Sequence, residues 1–120
     1  MKGERVMGHG TKGARGHLLL TKELEKKLPA LYATDGDPDE TRKVPVKFFC
    51  PYNGWTWYAL EYDPDERLFF GLVKGFESEL GYFSLDELEN AYKGALPLVE
   101  RDCYWDSDTT LAQVNNGERS

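Results

Sequence analysis

Residues 44–73 read VPVKFFCPYNGWTWYALEYDPDERLFFGLV, and this stretch decides the fold. Val44 to Cys50, Trp55 to Tyr62 and Leu68 to Val73 are rich in β-branched and aromatic side chains, which suit a pleated, half-buried surface. Between them stand Pro51-Tyr-Asn-Gly54 and Asp63-Pro-Asp-Glu-Arg67, both of turn composition. An antiparallel meander is therefore the economical topology. Side chains alternate across a strand, so Trp55, Trp57 and Ala59 face one way, and Thr56, Tyr58, Leu60 and Tyr62 the other. Both faces are partly apolar.

Downstream, Gly75 to Ser78 interrupts the pattern and Leu80 to Phe83 reads as a further short strand. Ser84-Leu-Asp-Glu87 has the form of a capping box. Its hydroxyl meets an orphan amide, its glutamate reaches back, and Leu85, Leu88 and Ala91 or Tyr92 supply an apolar stripe. Gly94 is expected to end that helix, Leu96 to Tyr104 to return as a strand, and Asp108 or Thr109 to cap a short helix through Val114. Upstream, Thr21 caps a helix carrying Leu24, Leu28 and Leu31, with Pro29 distorting its last turn. This order predicts an α+β domain, one antiparallel sheet of about four to five strands with two to three helices packed on it.

The predicted domain spans residues 18–114. Residues 1–17 hold five glycines and no apolar period, so they read as a flexible basic arm, and residues 115–120 as a frayed tail. No apolar run approaches the roughly 20 residues that span a bilayer, and no secretory leader opens the chain, so the cytoplasm is the expected compartment. The net charge of −6 is unevenly placed. The first 17 residues carry +3, whereas Glu61 to Asp108 holds thirteen carboxylates against four cations, a local −9. A body of that sign repels phosphate and disfavours direct nucleic-acid binding by the folded part.

Several motifs together resemble a known family. Leu19-Leu-Thr-Lys-Glu-Leu24, Leu28-Pro-x-Leu31-Tyr, Val46-Lys-Phe-Phe49, Trp55-Thr-Trp-Tyr58, Phe69-Phe-Gly-Leu-Val73 and Gly75-Phe-Glu-x-Glu-Leu-Gly-Tyr-Phe-Ser-Leu-x-Glu-Leu88, with Ala95-Leu-Pro-Leu-Val-Glu-Arg-Asp102, are similar in order and type to the small bacterial proteins of the domain-of-unknown-function family DUF2958. The resemblance covers roughly residues 18–111 and implies a small intracellular protein of the kind carried on plasmids and integrative elements. It implies no catalytic residue.

Chemistry narrows the functional classes. Both histidines, His9 and His17, fall in the expected arm, so a triad or a histidine-based metal site has no imidazole in the folded part. Cys50 and Cys103 lie in strand patterns and read as small buried residues. The Asp35–Glu40 loop resembles a calcium loop but has Glu40 where glycine is needed and Val46 where the bidentate glutamate belongs. Glu77 with Glu79, or Glu100 with Asp102, have the spacing that puts two carboxylates on one strand face. There they would serve acid–base or magnesium chemistry. No cofactor is called for.

The leading expectation is a non-enzymatic module that binds a basic protein surface through Glu61, Asp63, Asp65, Glu66, Trp55, Trp57 and Tyr58. In its sharper form it mimics nucleic acid to inhibit a restriction or CRISPR nuclease. A carboxylate-dependent enzyme and a single-strand binder with an aromatic sheet face are the alternatives.

Overall fold

The computed structural model describes residues 16–117. The meander forms as the sequence directs: β1 (Val46–Phe49), β2 (Thr56–Asp63), β3 (Leu68–Lys74) and β4 (Ser78–Ser84) are successively antiparallel. β5 (Tyr92–Lys93) and β6 (Leu96–Pro97) make a separate hairpin, and β7 (Glu100–Arg101) pairs with the other edge of β1. The main sheet thus runs β4-β3-β2-β1-β7. Among the described residues three short helices accompany it, α1 (Lys22–Lys27), α2 (Leu85–Glu89) and α3 (Leu111–Asn115), giving an α+β fold.

Local chemistry sets the element ends, sometimes against expectation. Thr21 caps α1 by accepting the Leu24 amide. The helix stops at Lys27, because the residue before a proline is driven out of the helical region. Leu28 is extended, with φ −88° and ψ 122°, and Leu31 lies in a turn. Ser84 caps α2 by accepting the Glu87 amide, but the helix ends at Glu89 and not at Gly94. Gly94, at φ +63°, instead turns the β5–β6 hairpin, where glycine adopts the left-handed region without a Cβ clash.

The strand expected over 96–104 is broken into β6 and β7. Pro97 brings no amide to a ladder, and the Asp102 carboxylate accepts the Tyr104 amide, folding 102–104 into a turn. The cap of α3 is Thr110, not Asp108 or Thr109, and it forms a reciprocal capping box with Gln113. Of the expected arm, only Gly16 and His17 fall within the described residues, as do residues 115–117 of the expected tail. His17 is docked, its Nε2 accepting the Arg101 amide at 3.2 Å, so the described residues do hold an imidazole.

A bulge in β2 is the main departure. Register shifts between Ala59 and Glu61, so one extra residue stands on β2 and the alternation reverses. Tyr62 therefore joins Trp57 and Ala59, packing with Phe48, Phe69 and Phe83 beneath Leu19, Leu28, Leu85 and Leu88. Tyr58 and Leu60 pack on the opposite face with Val44 and Leu72, covered by Leu111, Val114 and Trp105. Both faces of the central strands are closed, so the open aromatic platform considered from the sequence is absent over Tyr58.

Candidate interaction surface

The expected binding residues do not converge. Trp55 and Trp57 are half-buried at one end of β2, while Asp63 closes the strand at the other, about 25 Å away, with Asp65 and Glu66 in the β2–β3 turn beyond it. Tyr58 is fully buried, its ring 5.7 Å from that of Trp105. Burial, reinforced by the nearby Asp102 charge, pushes its hydroxyl above the usual tyrosine range. Tyr58 is core, not contact surface.

Glu61 is also interior, at 2% exposure. β1 has four residues and β2 eight, so beyond the Val46–Ala59 pair β2 lacks a strand neighbour on that side. The 29–34 segment fills the gap. Pro29 accepts the Tyr62 amide at 2.9 Å, and the Glu61 carboxylate accepts the amides of Tyr32 (2.8 Å) and Thr34 (2.9 Å), the Thr34 hydroxyl and Arg42 Nη2 (3.2 Å). Arg42 also donates to Thr34 Oγ1 and lies 5.6 Å over the Phe70 ring. Burial alone would raise the Glu61 pKa. The hydrogen bonds from Thr34, Tyr32 and Arg42 outweigh it and hold the carboxyl below its ordinary range.

The anchor has a consequence at the surface. Its bond to the Tyr32 amide holds that residue at φ +72°, a left-handed conformation that costs a bulky side chain roughly 1–2 kcal/mol. Tyr32 is thereby left 68% exposed, its hydroxyl accepting from Tyr82 at 3.2 Å.

Tyr82 belongs to β4, the outer strand of the sheet, and the exposed apolar side chains gather there. Leu80 and Tyr82 are both half-exposed on one face. In the bend that precedes the strand, Phe76 is 95% exposed and meets Trp55 edge-on at 5.4 Å. Trp55 in turn lies 6.1 Å from Trp57. Gly75 allows this stack: a Cβ there would come within 2.6 Å of the Trp55 ring. A groove of about 380 Å³ follows this edge, lined by side chains of both faces of β4. Among the described residues its lining includes Glu77 and Glu79 and no cation.

The other carboxylate pair separates. β7 ends at Arg101, and Asp102 turns to Lys47, 3.7 Å away. Among the described residues no group of three or more histidines, cysteines or carboxylates is placed to hold a metal ion. Cys50 is buried but Cys103 is exposed in the 102–104 turn, and both are free thiols. No helix among the described residues is long and apolar enough to cross a membrane.

Phe76, Leu80, Tyr82 and Tyr32 escape a reading of the sequence. The available signal is an apolar residue, Phe76, inside a glycine-led break, and the Leu80–Tyr82 alternation that follows it. Residues 19–117 match the model of a family described as a protein of unknown function, DUF2958. No curated protein and no solved structure matches the chain.

Proposed function

We propose that this chain, which belongs to the DUF2958 family of proteins of unknown function, is a cytoplasmic, non-catalytic binding module that engages a basic protein partner, as an accessory protein of a mobile element would. The observation that carries the reading is Phe76. A phenylalanine left bare in water forgoes roughly 1.5–3 kcal/mol of burial. Here it stands against Trp55, in a groove whose lining among the described residues includes Glu77 and Glu79 and no cation. Aromatic anchors rimmed by charge of one sign favour a partner of the opposite sign.

The acidic character is more local than the −9 count suggests. Glu61, Asp86, Glu89, Asp102 and Asp108 are each engaged by Arg42, Lys43, Lys47 or Arg67. That pattern supports a discrete contact more than an imitation of a uniformly charged duplex. Asp63, Asp65 and Glu66, at the far end of β2, act in this reading through long-range attraction and not through contact.

The test is affinity capture of the intact protein from its native host, with and without nuclease, followed by titration of the partner between about 50 and 500 mM salt. Nuclease-resistant capture, lost in Phe76→Ala and weakened by salt, is the expected result. Replacing Asp63, Asp65 and Glu66 by their amides should slow association and leave dissociation nearly unchanged. Salt-independent affinity, or capture of nucleic acid alone, refutes the proposal.

A further inference from the structure

The free edge of β4 specifies how that partner is held. β4 is seven residues long and, among the described residues, pairs on one side only, with β3. In an antiparallel ladder alternate residues turn their amide and carbonyl away from the neighbour, so β4 presents a row of unpaired backbone groups along its outer side. Sheet proteins commonly blunt such an edge with charge, and Glu77 and Glu79 alone would serve that end. They do not account for the bare Leu80–Tyr82 row beside them, nor for Gly81 between those two residues.

Two facing glycines make the contrast. Gly71 of β3 and Gly81 of β4 are directly opposed. A Cβ on Gly71 would stand 2.0 Å from the Tyr58 carbonyl oxygen, so internal packing requires that glycine. A Cβ on Gly81 would meet none of the described residues within 4 Å, and the residue is not in the left-handed region. Neither packing nor backbone conformation calls for glycine there, although glycine weakens a strand interior. A strand glycine is also used where a ligand or another backbone comes close.

We infer that β4 accepts an extended segment of the basic partner as a sixth strand of the sheet. The two faces dictate the segment's pattern. Its side chains on the Glu79 face meet carboxylate and the space above Gly81, whereas those on the other face meet Leu80 and Tyr82 with Tyr32 beyond. An alternation of lysine or arginine with apolar residues satisfies both faces at the strand period of two. A second copy of this chain fits less well, because two β4 edges would bring two Glu77–Glu79 pairs together.

This inference rests on the partner-binding reading above, and the test separates the two. The probe is a nine-residue peptide alternating lysine and valine, titrated calorimetrically into the full chain, beside the same peptide N-methylated at alternate amides. Binding at or below about 1 mM is expected. N-methylation on the bonding side and Gly81→Val should each weaken it by at least about tenfold. Gly81→Val should leave the thermal midpoint equal or higher, since it adds a β-branched residue to open space.

Loss of binding in Phe76→Ala and in Glu79→Gln, with no effect of N-methylation or of Gly81→Val, would keep the surface and overturn strand addition. No binding of the unmodified peptide at 1 mM would also overturn it. A concentration-dependent dimer abolished by Gly81→Val would assign the edge to a second copy and overturn the basic segment.

Discussion

Replacing Glu61 by glutamine tests whether one buried carboxylate holds the 29–34 segment and, through it, the exposed aromatic rim. The carboxylate accepts four hydrogen bonds, two of them from backbone amides and one from the guanidinium of a buried arginine. Glutamine retains one acceptor oxygen and turns an amide donor toward groups that are themselves donors. It also leaves Arg42 charged and without its counter-ion. Hydrogen bonds to charged groups contribute about 1.5–3 kcal/mol each, and breaking a buried ion pair costs about 3–5 kcal/mol. The terms overlap, so about 3 kcal/mol is the working figure.

For a domain of this size that figure corresponds to a thermal midpoint lower by about 12 °C or more. Urea titration at pH 7 gives the free energy directly, because a shift of midpoint at unchanged slope reports stability alone. The pH dependence carries the sign. Glu61 is held below its ordinary value of 4.5, so its contribution is fully present above that value and is lost as pH falls through the lower, folded-state value. The gap between wild type and Glu61→Gln should therefore narrow in acid. Arg42→Met combined with Glu61→Gln should cost less than the two single changes added, since they share one interaction. A loss below about 1 kcal/mol at pH 7, or a gap unchanged by acid, would refute the anchoring role.

Ser84→Ala should cost about 1 kcal/mol while Ser84→Asp costs little, because either oxygen accepts the Glu87 amide and a carboxylate suits the helix start; equal losses by chemical denaturation would contradict the cap. Gly71→Ala should destabilise by about 1–3 kcal/mol through the clash with the Tyr58 carbonyl, and a stability equal to wild type would show that the β2–β3 spacing relaxes freely. Cys103 should react with a thiol reagent in the native state and Cys50 only on unfolding; two equivalents of fast reaction would contradict the burial of Cys50.

The sequence by itself determined the meander, its turns and the Ser84 cap, because each depends on interactions between residues close in the chain. Strand-forming clusters separated by Asn53-Gly54 and Asp63-Pro64 leave little choice of topology, and a capping hydroxyl needs only the next turn of helix. Tertiary structure decided where the binding residues stand. One bulge after Ala59 reversed the alternation on β2, moving Tyr62 to the opposite face, and local composition carries no mark of it. Glu61 reads as one more surface acid until β1 proves shorter than β2 and the 29–34 segment closes on its carboxylate. The groove at Phe76 likewise exists because β4 lies at the sheet edge, and strand order is a property of non-local pairing that no single segment encodes.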